Sequence, residues 1–149
     1  MYGIINTKAP DLQFTEWLKS DSTKADRPLT LTNLGLGQKP LLLFCFQSWC
    51  PGCYSHGFPA LQRVLENRPK DLAVAVIQTV FEGHDVNTFE KLVETRKQYD
   101  IEVPFIQDSG ANAPDGRPQT MVAYQTGGTP WFIAIDKSGI VTYNDFRLQ

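Results

Sequence analysis

The chain has 149 residues, 42% of them hydrophobic and 20% charged, with a formal net charge of −2 at pH 7. That length fits one domain around a single sizeable core, and so small a charge gives no electrostatic case for nucleic acid or an anionic membrane as a partner. The longest apolar run falls far short of the roughly 20 residues that cross a bilayer as a helix. The start Met1-Tyr2-Gly3-Ile4-Ile5-Asn6-Thr7-Lys8 lacks the basic-then-apolar order of a signal peptide, so a cytoplasmic location is expected unless a leader has been removed.

Residues 1–27 read as a polar, irregular N-terminal extension to a core over 28–146. Their one apolar group, Leu12, Phe14, Trp17 and Leu18, is expected to dock as a short helix or turn. Pro28-Leu29-Thr30-Leu31-Thr32 alternates apolar and β-branched polar residues, which predicts a half-exposed strand. Gly35-Leu36-Gly37-Gln38-Lys39-Pro40 punctuates the chain. Leu41-Leu42-Leu43-Phe44-Cys45-Phe46 then runs without alternation, as a strand does when helices cover both faces of its sheet.

Directly after this strand comes Trp49-Cys50-Pro51-Gly52-Cys53. A helix is expected from Pro51, since proline is favoured at the first helical position, where its missing N–H costs nothing. A thiol delivered there feels the positive end of the helix dipole and unpaired backbone N–H groups, so its thiolate is favoured. The pattern points to dithiol/disulfide exchange. Three cysteines in all are too few for a disulfide scaffold and suit one redox pair plus an extra thiol. The extra one, Cys45, lies in the apolar strand and reads as a small buried hydrophobe.

Beyond the dithiol, Phe58, Leu61, Val64 and Leu65 form the helix's buried stripe, and Pro59 is expected to kink it. Leu72 to Val80 predicts a second buried strand. Asp85 or Asn87 is the expected cap of the next helix, in which Phe89, Leu92, Val93, Arg96 and Tyr99 recur at helical spacing. Val103-Pro104-Phe105-Ile106 predicts a short or edge strand, because proline cannot donate to a ladder. After a loop over 108–118 come a short helix around Gln119 to Tyr124 and a hairpin, Trp131 to Ile135 and Ile140 to Tyr143, turning at Asp136-Lys137-Ser138-Gly139. This order makes one α/β domain with a central mixed sheet flanked by helices.

Through Trp49-Cys50-Pro51-Gly52-Cys53 and the later Gly127-Gly128-Thr129-Pro130, the chain resembles the thioredoxin-like superfamily. Within it the chain is most similar to the TlpA-like thiol-disulfide reductases, a branch shared with alkyl hydroperoxide reductase-type peroxiredoxins. The resemblance implies a thioredoxin-like fold, with Cys50 as the exposed nucleophile and Cys53 as the resolving thiol. It implies a cis-proline at Pro130 lying against the dithiol, and Trp49, Pro51, Thr129 and Pro130 as substrate contacts. The redox-active disulfide Cys50–Cys53 would be the only redox group, with no bound cofactor, acting on protein or small-molecule disulfides and thiols.

Two departures stand out. Where thioredoxin has a buried aspartate beneath the dithiol this chain has Phe44, and Tyr54-Ser55-His56-Gly57-Phe58-Pro59 lacks the glutamate that TlpA-like enzymes often carry after the second cysteine. His56, at i+3 from Cys53, is the substitute candidate for proton transfer. The chain also stops at Gln149, soon after the hairpin, where thioredoxin-like domains usually add a closing helix; the sheet face left open is expected to be covered by the N-terminal segment or by a second copy in a homodimer.

Two rival readings remain. A peroxidase would oxidise its cysteine thiolate to a sulfenic acid, but the Pro-x-x-x-Thr/Ser-x-x-Cys pattern of peroxiredoxins fails here, with Leu43 and Gln47 at those two positions. A metal-binding module would have Cys50, Cys53 and His56 as soft ligands, approached by His84 from the loop after the second strand. A structural zinc site needs four ligands, so no metal is expected. Trp49, Tyr54 and Trp131 are candidates for an apolar docking surface.

Overall fold

The computed structural model describes residues 2–110 and 115–147; part of the expected loop over 108–118 therefore lies outside the described residues. The chain first lays down Gln13–Phe14 (β1), Glu16–Leu18 (β2) and Leu29–Thr30 (β3), then one helical turn, Leu31–Leu34 (α1). Leu41–Phe46 (β4) leads into the dithiol segment and a π-helical turn, Cys53–Gly57, continued by Phe58–Glu66 (α2). Ala73–Thr79 (β5), Phe89–Tyr99 (α3), Phe105–Asp108 (β6), Gln119–Tyr124 (α4), Trp131–Ile135 (β7) and Val141–Asp145 (β8) complete the order.

Six of these strands form a mixed sheet in the order β2-β6-β5-β4-β7-β8. β4 pairs in parallel with β5 and antiparallel with β7, which puts it inside the sheet and buries all six of its residues. Its side chains alternate between two apolar layers, as strand geometry requires. Leu41, Leu43 and Cys45 meet Ala9, Leu12, Phe14, Leu31 and Tyr124 on one face. Leu42, Phe44 and Phe46 meet Phe58 and Leu61 of α2 and Leu92 of α3 on the other. The N-terminal segment and α4 thus cover the face opposite α2 and α3. Beside α2 the other face keeps an open groove of about 620 Å³, walled by Arg63, Phe132 and Tyr143 among others.

The structure corrects several local expectations. The N-terminal apolar group forms strands: Glu16, Trp17 and Leu18 pair antiparallel with Gln107, Ile106 and Phe105, so the segment read as an extension is built into the main sheet. Consequently β6 is an interior strand. Pro104 stands just before it, where it needs no ladder N–H, and its carbonyl accepts from Val76 N–H at 2.9 Å. Arg96, 5% exposed, fastens this edge by donating to the Ser20 carbonyl at 2.9 Å.

The strand expected over 28–32 is cut to two residues. Asn33 N–H donates to the Thr30 hydroxyl and Thr30 N–H to the Asn33 side chain, a capping box that starts a helix instead. The cap of α3 is Thr88, whose hydroxyl accepts from Lys91 N–H at 3.3 Å; neither Asp85 nor Asn87 caps it. Pro59 produces a change of helical pitch: Phe58 N–H reaches back to the Cys53 carbonyl, and Pro59, with no N–H of its own, takes a first-turn position in α2.

Phe58 is fully buried among Phe44, Phe46, Tyr54 and Tyr99, with ring centroids 4.1–5.7 Å away. Phe58→Ala would open a cavity at the junction of α2, α3 and the sheet. We expect a loss of about 3–5 kcal/mol in urea unfolding, and a loss under 1 kcal/mol would show that the cluster repacks.

Candidate active site

β4 ends at Phe46, and Gln47-Ser48-Trp49 carry the chain out of the sheet to the dithiol. The two cysteines meet different surroundings. Cys50 is half-buried, whereas Cys53 is fully buried in the aromatic layer with Phe44, Phe58 and Phe132. Both are free thiols, and Cys53 N–H donates to the Cys50 sulfur at 3.2 Å.

This arrangement splits their acidities. The Cys53 thiol, donating to the Cys50 sulfur, holds the Cys50 pKa down to about 6 against burial, and the Cys53 and Gly52 backbone N–H groups act in the same direction. Cys53 moves far upward, because burial disfavours its charge and its proton is held by the Cys50 sulfur. Cys45 also moves up, driven by burial and then by the charge of Asp108, as an inert core thiol should.

Across from Cys50 lies Thr129-Pro130, joined by a cis peptide bond. In its thiol form Cys50 donates to the Thr129 carbonyl at 3.6 Å. Pro130 packs on the dithiol helix so closely that a β-carbon at Gly57 would sit 3.0 Å from its Cβ and 2.7 Å from the Phe44 ring. Gly57 is therefore a site residue missed in the sequence, where the signal was a lone glycine inside a helical pattern.

Trp49 is 45% exposed, one side of its indole lying on Gly83. Pro51 is exposed, and Thr129 and Pro130 are half-buried. These residues surround Cys50. His56 does not join them: the wide π turn leaves it exposed on the groove wall with Pro130 and Phe132, and its side chain makes no hydrogen bond with the described residues. Tyr54 and Trp131, the other candidate docking aromatics, serve the framework. Tyr54 stacks on Phe58 and Tyr99, and its hydroxyl meets that of Thr95 at 3.4 Å. Trp131 is 2% exposed and donates to the Asn144 side chain at 2.5 Å.

Among the described residues no carboxylate replaces the missing acid beneath Cys53. The buried Asp108 accepts from Gln119 N–H, Thr120 N–H and the Thr120 hydroxyl at 2.7–3.0 Å, which commits it to the start of α4. Burial still raises its pKa above the usual carboxylate range. Among the described residues, no cluster of three or more His, Cys, Asp or Glu side chains is arranged to hold a metal ion, and no helix is long and apolar enough to cross a membrane.

Residues 5–144 match the model of the AhpC/TSA family. The chain belongs to that family. A crystal structure of a thioredoxin-like superfamily protein is similar at 36% identity, covering 95% of this chain and 87% of its own, with a TM-score of 0.80. A thiol-disulfide isomerase from Corynebacterium glutamicum is 28% identical over 95% of this chain and 88% of its own, with a TM-score of 0.75. A reduced 2-Cys peroxiredoxin from Plasmodium vivax, at 16% identity over 96% of this chain and 72% of its own, shares the fold with a TM-score of 0.69. No curated protein sequence matches the chain. Family and neighbours support a thioredoxin-like protein with thiol redox activity.

The lowered Cys50 pKa has two measurable consequences. Alkylation of reduced protein at Cys50 should rise with a midpoint near pH 6, read by iodoacetamide labelling and mass. Because the folded chain binds this proton more weakly than the unfolded one, with its ordinary thiol value of 9.0, the stabilisation is present at high pH and lost as pH falls from 9 through 6. Relative to Cys50→Ser, the urea midpoint of reduced protein should therefore climb across that window; parallel curves would contradict the assignment.

Proposed function

We propose that this protein is a thiol-disulfide oxidoreductase of the protein disulfide reductase type. The reading is carried by one observation, the asymmetry between an accessible Cys50 of low pKa and a buried Cys53 hydrogen-bonded to it. The Cys50 thiolate attacks one sulfur of a substrate disulfide, forming a Cys50–substrate bond while the other substrate sulfur leaves as a thiolate and takes up a proton. Cys53 then loses its proton and attacks the Cys50 sulfur. The mixed disulfide breaks, the second substrate sulfur leaves as a thiol, and two electrons have passed from the dithiol to the substrate. The product disulfide Cys50–Cys53 is the redox group, and its reduction by two equivalents of an external thiol, which leave as a disulfide, restores the dithiol.

In this reading Trp49, Pro51, Thr129 and Pro130 receive an extended substrate segment around Cys50. His56 carries protons to and from departing thiols at the groove mouth rather than acting directly on Cys53, consistent with its exposed position. His56→Ala should then depress turnover near neutral pH while leaving the Cys50 alkylation midpoint unmoved; an unaltered pH profile of exchange removes the role.

A peroxidase is the second reading, favoured by membership of the AhpC/TSA family. Against it, the Gln47 side chain, at the peroxiredoxin threonine position, is buried and turned toward Asn87. One set of variants separates the two. Cys53→Ser should accumulate a mixed disulfide at Cys50 with insulin as substrate, and Cys50→Ser should drop insulin reduction to background. Hydrogen peroxide turnover with a thiol donor at rates exceeding disulfide reduction would favour the peroxidase instead.

A further inference from the structure

The stretch that presents Cys50 takes its position from buried amides rather than from sheet or helix. In register across the sheet, Phe46 pairs with Gln78 and Gln78 with Gln107, so the two glutamines stand side by side where β5 and β6 end. Gln78 uses both of its protons, donating to the Gln107 side chain at 2.7 Å and to the Thr88 carbonyl at 3.0 Å. Gln107 donates to the Asn87 carbonyl at 2.9 Å. Asn87, 1% exposed, donates to the Glu82 carbonyl at 3.1 Å and reaches the Gln47 side chain at 3.5 Å.

The acceptors of this network point at the dithiol approach. Ser48 N–H and its hydroxyl donate to the Gln78 side chain at 2.9 and 2.5 Å. Trp49 N–H donates to Asn87 Oδ1 at 3.2 Å. Cys50 N–H donates to the Gln47 carbonyl at 3.1 Å. Three consecutive N–H groups are thus satisfied, two of them by side chains from loop and strand positions 30 or more residues away in sequence. The same loop holds the indole: Asn87 N–H and Val86 N–H both donate to the Gly83 carbonyl, closing a turn that lays Gly83 (φ +61°) under Trp49.

Taking Cys50 as the nucleophile of the proposed exchange, we infer that Asn87 is a positioning residue for it, holding Trp49-Cys50 against Cys53 from the 82–88 loop, with Gln78 and Gln107 as its buttress. Amides suit this role because each carries donors and acceptors and none titrates, so the loop keeps one geometry across the pH range in which Cys50 ionises. The charged groups of the loop, Glu82, His84 and Asp85, are exposed, and Asp108, next to Gln107, is tied to the start of α4. Cys53 N–H must stay 3.2 Å from the Cys50 sulfur to support its thiolate, and the Trp49 N–H bond fixes the residue next to it. A side chain that served the fold alone would change unfolding when removed, yet leave this contact intact.

The test is the pH dependence of Cys50 alkylation in reduced wild-type, Asn87→Ala and Ser48→Ala protein, with folding checked by near-ultraviolet circular dichroism. In Asn87→Ala the midpoint should rise by about half a pH unit or more, about a threefold fall in the acid dissociation constant of Cys50, with kcat/KM for insulin falling in parallel. Ser48→Ala, at a half-exposed position, should shift it in the same direction by less and serves as the deciding variant if Asn87→Ala does not fold. A low wild-type midpoint that the folded variant reproduces overturns this inference alone. A wild-type midpoint near the ordinary 9.0 overturns the reading of Cys50 as nucleophile, and this inference with it.

Discussion

The hydrogen bonds that Cys53 sends to the Cys50 sulfur, first from its thiol and then from its backbone N–H at 3.2 Å, are the contacts on which the acidities of the pair rest. They form because the chain leaves β4 at Phe46 and enters a helical turn, where Cys53 N–H, which also donates to the Cys50 carbonyl at 3.1 Å, faces the Cys50 sulfur. The difference in burial does the rest. With Cys53 sealed in the aromatic layer and Cys50 only half-buried, a shared proton settles on Cys53 and the charge on Cys50.

What surrounds the pair divides by polarity. Behind Cys53 the walls are rings: Phe44 lies 4.9 Å from both Phe58 and Phe132, and Gly57 allows the dithiol helix to rest directly on Phe44 and Pro130. Beside Cys50 they are amides, which hold the approach chain without adding charge. The apolar wall makes ionising Cys53 costly. A buried carboxylate would ease that step and would also compete for the proton; Asp108 is tied to the start of α4.

The N-terminal segment shows how tertiary structure overrides a weak local pattern. Its apolar residues are spaced for neither a long helix nor a long strand, so the sequence alone left helix or turn as the expectation. The open edge of β6 decided otherwise, since an unpaired row of backbone groups is satisfied by any extended segment that can lie along it. Glu16–Leu18 do so, and Arg96 ties the following turn to α3. Likewise Asn87, a plausible cap by residue type, is drawn into the buried network because Trp49 N–H needs an acceptor, leaving Thr88 to cap α3.

The amino-acid sequence by itself determined the order of the principal elements, the unbroken burial of Leu41–Phe46 and the seat of the dithiol, because apolar runs, alternation and helix-start signals are local properties. Its resemblance to thioredoxin also implied that Phe44 stands in place of a buried aspartate. Only the tertiary structure decided what seals Cys53, where His56 points after the π turn, and that Gln47, Ser48, Gln78, Asn87 and Gln107 converge on one loop. These depend on side chains far apart in the chain meeting at the ends of paired strands, and hydrogen-bond partners chosen across a sheet leave no periodic trace along it.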